Sequence, residues 1–205
     1  MMNFRNRPAL WAGDRPRLRR SLDRIVTLAV WGLVVALVVT GAFYIDNAYQ
    51  ATRDHFAKRA PVAPDSVKAS RSFSGHGPEL AFDKINNTWW GPGVSQAGAG
   101  EWIEARFQRP TRLLDILVTP GISTRAADVS KSAFPHRVQV LVTAADGKTT
   151  TRELTLDQGT GSQRRAFRTG EVSAVRFILR SAHGAAADKQ VSIAEIEFFG
   201  RSSAS

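Results

Sequence analysis

Between Ile25 and Ile45 the chain runs 21 residues, IVTLAVWGLVVALVVTGAFYI, without a charge, bounded by Arg24 and Asp46. At a rise of about 1.5 Å per residue, a helix of that length spans roughly 30 Å, the thickness of a bilayer's hydrocarbon core. A buried helix of a small soluble protein rarely runs so far without interruption. A cleaved signal peptide also starts with positive charge and an apolar run, but that run is usually about 7 to 15 residues long. Here Phe43, Tyr44 and Ile45 continue the apolar pattern past the small residues Thr40-Gly41-Ala42. The expectation is an uncleaved signal anchor: one transmembrane helix over residues 25–45, with Tyr44 and Tyr49 at interfacial depth.

The charge distribution orients that helix. Residues 1–24 hold seven arginines and two aspartates, half of the net charge of +10, and Arg15, Arg17, Arg19, Arg20 and Arg24 crowd its amino-terminal flank. The other flank begins Asp46-Asn47-Ala48, with Arg53 as its first positive charge. Basic flanks stay inside, so the tail is expected in the cytoplasm and the carboxyl-terminal part outside it, at the cell membrane. Each basic residue near an anionic lipid surface contributes about 1 kcal/mol of attraction, which is role enough for the tail. The positive charge beyond residue 24 is modest and no nucleic-acid motif accompanies it, so nucleic acid is not an expected partner. The absence of cysteine excludes disulfides, thiolate metal sites and thiol nucleophiles.

Residues 46–65 read as a stalk that Pro61 and Pro64 keep from continuing as a helix. Residues 66–200 then show short β-type runs between Gly, Pro, Asn and Asp clusters, and 201–205 form a tail. Strands are expected near 67–73, 101–108, 112–118, 137–143, 149–156, 163–168, 174–181 and 191–199. Period-two alternation places Ile103, Ala105 and Phe107 on one face, Val138, Val140 and Val142 on another, and Val175, Phe177 and Leu179 on a third. Asp146-Gly147 between two runs predicts a hairpin with a type I′ turn. The pattern is all-β, an antiparallel sandwich or jelly roll with loops gathered at its ends.

Catalytic constellations are not evident. Glu101 and Glu104 stand at i, i+3 on a strand and so on opposite faces, which assembles no acid/base pair. Ser74 beside His76 lacks the third, orienting group of a nucleophilic triad. The expectation is a protein that is not an enzyme.

The segment Leu80–Trp90, LAFDKINNTWW, places Asp83, Asn87, Thr88 and Trp90 at the spacing D-x-x-x-N-T-x-W, and Glu101-Trp102-Ile103-Glu104 opens the next strand. With the closing run Ile193-Ala194-Glu195-Ile196-Glu197-Phe198-Phe199-Gly200, residues 66–200 resemble the discoidin family of galactose-binding-like jelly-roll sandwiches. That family includes carbohydrate-binding modules, coagulation-factor C-type domains and an NADase-type glycan-binding branch. The resemblance implies a structural Ca²⁺ that pins the first loop to the last strand. Its ligands would be the side chains of Asp83, Thr88 and Glu195, with carbonyls from Leu80, Ile85, Thr88 and Ala194. Such a hard-oxygen shell suits calcium. Where members often have Gly after the Asp, this chain has Lys84, which a positive φ would strain. The alternative is a metal-free turn in which Asp83 and Thr88 cap backbone N–H groups.

The resemblance buries Trp90 and Trp102; Trp89, next to a core Trp in an extended stretch, points the other way, as a stacking platform for a sugar ring or as cover for the sandwich edge. Residues 121–137 form a long polar segment suited to a binding loop. Within it Arg125, His136 and Arg137 are candidate polar partners, and Phe134 an apolar companion. Arg106, Arg109 and Arg112, and separately Arg164, Arg165 and Arg168, are basic clusters that would suit acidic glycans or anionic headgroups. The expected role is a membrane-anchored module that binds carbohydrate or another cell-envelope component. A protein-binding envelope adaptor and an anionic-lipid-binding domain are the alternatives.

Overall fold

A computed structural model describes residues 24–41, 58–85 and 87–202. The basic tail, the last residues of the expected membrane span, most of the stalk, Asn86 and residues 203–205 lie outside them. The chain divides into one unit up to Thr52 and another from Arg53 onward.

In the first unit Arg24–Gly41 is an 18-residue helix, α1, of mean hydropathy 2.1, none of it buried in protein. It is long and apolar enough to cross a membrane by length and composition. Its hydroxyl at Thr40 donates to the Ala36 carbonyl at 2.6 Å, so the polar group is satisfied within the helix.

The second unit is a sandwich of antiparallel strands: β1 (Arg59–Val62), β2 (Ser66–Ala69), β3 (Trp102–Pro120), β4 (Phe134–Ala144), β5 (Thr149–Thr155), β6 (Gln163–Ala166), β7 (Glu171–His183) and β8 (Ile193–Arg201). One layer is β1-β8-β3-β6 and the other β2-β3-β7-β4-β5. Strand β3 belongs to both, its first part pairing with β2 and its second with β8 and β6. Residues 101–108 and 112–118 are therefore one strand of 19 residues, not two. The expected break has a physical counterpart: pairing with β7 shifts register between Arg106 and Thr111, around Pro110, which has no N–H to give the ladder.

The three alternating sets meet in one core, where Ile103, Ala105, Val140, Val175, Phe177 and Leu179 are each at most 1% exposed. Trp90 is fully buried, and its indole N–H donates to the Arg71 carbonyl at 3.1 Å. Trp102 departs from the expected core role. It lies partly exposed under the Arg176 guanidinium, 4.1 Å from the ring centre. The hairpin at Asp146-Gly147 forms with only Gly147 at positive φ, 83°. Asp146 instead accepts the Lys148 amide at 3.0 Å, so the turn is not type I′, which needs both central residues left-handed.

A second difference concerns the stalk. Residues 59–62 lie in the stretch read as linker, yet they form β1, in register with Phe198–Arg201 of β8. Sheet pairing thus begins at Arg59, seven residues ahead of Ser66. Pro61 is tolerated because β1 is an edge strand. Arg59 also donates to the buried Asp115 carboxylate at 2.9 Å, and Arg164 donates to the same oxygen at 2.9 Å. Burial pushes the Asp115 carboxyl up, and the hydrogen bonds and charges of Arg59 and Arg164 outweigh it, holding the group below its ordinary value.

Two outcomes are expected. The stabilisation from Asp115 is present above the unfolded-state pKa near ~4 and is lost as pH falls through the lower folded value. Thermal melts from pH 7 to 2 should therefore show Asp115→Asn less acid-sensitive than wild type and, at pH 7, less stable by about 1–3 kcal/mol. At Gly200 an added Cβ would meet the Arg112 carbonyl oxygen at 2.9 Å and Val62 Cγ2 at 3.0 Å. Gly200→Val should cost about 1–3 kcal/mol by overpacking, read as a lowered Tm.

Candidate functional site

The loop from Leu80 to Trp90 enters from a short 3-10 turn, Pro78–Ala81. It turns at Lys84, whose φ of 63° is left-handed, the strained conformation foreseen for a non-glycine residue there. The turn folds Asp83 back so that its Oδ1 accepts the Ile85 amide at 2.8 Å. The Thr88 hydroxyl sits among four oxygens: Asp83 Oδ1 at 3.0 Å and Oδ2 at 2.8 Å, the Ile85 carbonyl at 2.8 Å and the Leu80 carbonyl at 3.4 Å. A hydroxyl has one proton to donate, so this cluster holds more acceptors than donors.

Glu195 deepens that imbalance. It projects from β8, is 4% exposed, and among the described residues neither carboxylate oxygen has a hydrogen-bond partner. Burial above all pushes its pKa up to about 8; the charges of Glu197 and Asp83 add to the rise, and the nearby amides of Lys84 and Ile85 oppose it. Ala194, one residue before it, is fully buried. A buried carboxylate that no described residue hydrogen-bonds, beside a second carboxylate, a hydroxyl and two convergent carbonyls, has the chemistry of a hard-cation site. These residues fit Ca²⁺. The cap geometry coexists with that fit, since Asp83 accepts one backbone N–H as well.

The loop leads directly into an aromatic cluster. Trp89 stacks on His76 with ring centres 3.6 Å apart and planes at 21°, and on Phe73 at 6.0 Å and 18°. Phe73 and His76 bracket a turn in which the His76 amide donates to the Phe73 carbonyl at 2.9 Å and Gly75 has φ of 76°. His76 Nδ1 lies 3.1 Å from the Trp89 carbonyl oxygen. Trp89 is therefore half-covered, and the ring it supports, Phe73, is 45% exposed. Beside them Gln190 accepts the Gly93 amide at 2.9 Å. The Ser-Gly dipeptide signals the turn that pairs Phe73 with His76; their meeting with Trp89 is a tertiary fact no local pattern carries.

The other expected ligand contacts disperse. No hydrogen bond or ring contact among the described residues joins Trp89 to Arg125, Phe134, His136 or Arg137. Phe134 is 3% exposed and packs against Gly121, so it is core and not a loop-tip companion. His136 lies against His183 with ring centres 4.1 Å apart and planes tilted at 41°, with Nδ1 3.4 Å from Ser181 Oγ. Arg137 donates through Nε to the same Ser181 hydroxyl at 3.4 Å, on the outer face of the second layer. Arg125 is exposed in a loop tied by the Ser123 hydroxyl to Asp128 at 2.5 Å. The segment is shorter as a loop than expected because β4 already starts at Phe134.

No protein-family model matches the sequence, and no curated protein matches it. Its fold is shared with solved structures. The family 32 carbohydrate-binding module of NanJ from C. perfringens, in complex with galactose, superposes with a TM-score of 0.57 at 15% identity, over 69% of this chain and 99% of that one. An F5/8 type C domain from Bacteroides fragilis gives 0.52 at 21% identity, over 70% and 97%. A chitosan-binding module of a chitosanase/glucanase from Paenibacillus sp. gives 0.51 at 17% identity, over 67% and 96%. The β-unit is a discoidin-like jelly-roll sandwich.

If calcium occupies the loop, adding it to the chelator-treated full chain in nonionic detergent should raise Tm, and Glu195→Gln should abolish the rise. A Tm indifferent to calcium in wild type removes the ion.

Proposed function

We propose that the protein is a membrane-anchored, extracytoplasmic, non-catalytic module that binds carbohydrate or another cell-envelope component, akin to the glycan-binding branches of the discoidin fold. The observation that carries this reading is the aromatic cluster of Phe73, His76 and Trp89, with its outer ring exposed beside Gln190 and a glycine-rich loop. A sugar offers C–H patches rimmed by hydroxyls, so an exposed ring next to directional polar groups is the complement it needs. Helix α1 and its basic flank support the anchor with the amino terminus inside. Calcium in the adjacent loop would fix the backbone that delivers Trp89, a structural role. Glu104 and Glu101 are committed to ion pairing and to Ser70, and His76 to the Trp89 carbonyl, which supports a role without catalysis.

A shallow sugar site gives weak affinity per site, because sugar hydroxyls must exchange good contacts with water. Surface anchoring offsets this by raising the local concentration of sites. The full chain in detergent, screened on a glycan array, should bind a subset of glycans. Phe73→Ala and Trp89→Ala should each weaken that binding at least tenfold without lowering Tm by more than a few degrees. Silence on every glycan with capture of an envelope protein would make it an adaptor.

A further inference from the structure

The outer face of the second layer carries a different kind of surface. Two depressions lie side by side on it. The first, of about 530 Å³, is bordered by Ser66, Glu104, Arg106, Thr143, Thr149 and Arg176 among others. The second, of about 450 Å³, is bordered by Arg137, Gln139, Thr151, Arg152, Glu153 and Arg180. Leu141 lines the first and is the cross-strand partner of Thr151 in the second, so the two join into one trough across β3, β7, β4 and β5.

Four arginines, Arg106, Arg137, Arg176 and Arg180, face this trough against two carboxylates, while Arg152, paired with core Val140, lies over the Phe167 ring at 5.7 Å. One carboxylate is already spent: Glu104, 4% exposed, accepts Arg106 Nε at 2.5 Å and Arg176 Nε at 2.6 Å. Arg176 is also laid flat on Trp102. Arg137 is held by Ser181 through Nε, and Arg180 by the Gln139 side-chain amide oxygen Oε1. Arg106, Arg137 and Arg176 are thus fixed at Nε, and among the described residues none of their terminal amino groups makes a hydrogen bond. Guanidinium groups oriented by their neighbours, with donors to spare, are suited to bidentate capture of planar anions. The cradle of Arg106 and Arg176 around Glu104 shows that a carboxylate fits this spacing. Between the arginines lie Ser66, Thr143, Thr149, Thr151 and Gln139, whose side chains match sugar hydroxyls. Single-stranded nucleic acid would need open aromatic faces for its bases, and Trp102 is covered by Arg176.

We propose that this trough is a second binding surface, for the carboxylates of an acidic polysaccharide chain. It is separate from the Phe73 cluster and does not rest on glycan binding there.

The test uses the full chain in nonionic detergent, with polygalacturonate as the probe and dextran as the neutral control. Binding should be to polygalacturonate alone and should weaken steadily with added salt. The double variant Arg137→Gln with Arg180→Gln should lose at least tenfold in affinity at unchanged Tm. Arg137→Lys with Arg180→Lys should lose less, and Arg109→Gln, outside the trough, should lose nothing. Equal binding to dextran, no effect of the double glutamine variant, or no binding at low salt would each overturn the proposal. So would tighter binding of phosphatidylglycerol vesicles or of single-stranded DNA through the same arginines. Loss of the array signal in Phe73→Ala with polygalacturonate binding retained separates this surface from the first.

Discussion

Strand β3 is hydrogen-bonded to four other strands, two in one layer and two more on changing layer, and both candidate surfaces depend on that crossing. Its first part presents alternate residues: Ile103 and Ala105 to the core, Trp102, Glu104 and Arg106 to the outer face. Its second part, from Leu113 to Pro120, is buried on both faces except at half-buried Leu117, and reads as a nearly continuous apolar run. Asp115 is the one charge in that run, and two arginines from different strands neutralise it. A single strand therefore sets the spacing between the layers and fixes which of its own side chains face outward.

The loop before Trp90 shows how local chemistry can be legible while its consequence is not. Asp83, Thr88 and Glu195 were readable as a group only through the resemblance, since more than a hundred residues separate the loop from β8. In the fold the surplus of oxygen acceptors lies around Thr88, and among the described residues the Glu195 carboxylate has no hydrogen-bond partner. Lys84 was the informative exception: a side chain where backbone geometry favours none, kept at a left-handed turn.

Alternation made the core strands legible, because Val138, Val140 and Val142 or Val175, Phe177 and Leu179 repeat with period two and little else satisfies that pattern. The bend in β3 was not, because a proline between two apolar runs looks the same whether it ends a strand or kinks one. Strand β1 was missed for a related reason: four residues containing a proline carry no period, and only the partner β8 makes them a strand. The candidate binding side chains divide in the same way. Trp89 was identifiable as an exception to the core, but Phe134 was assigned to a loop that the sheet had absorbed. Phe73 and the trough arginines emerge only from tertiary packing.

That short first strand also sets a load path. It lies antiparallel to β8, with Arg59 opposite Arg201, and its first residue grips Asp115 on the central strand. Tension arriving through the residues ahead of Lys58 would meet this buried ion pair before it reached any loop. A force carried along that segment would thus load the middle of the sandwich first.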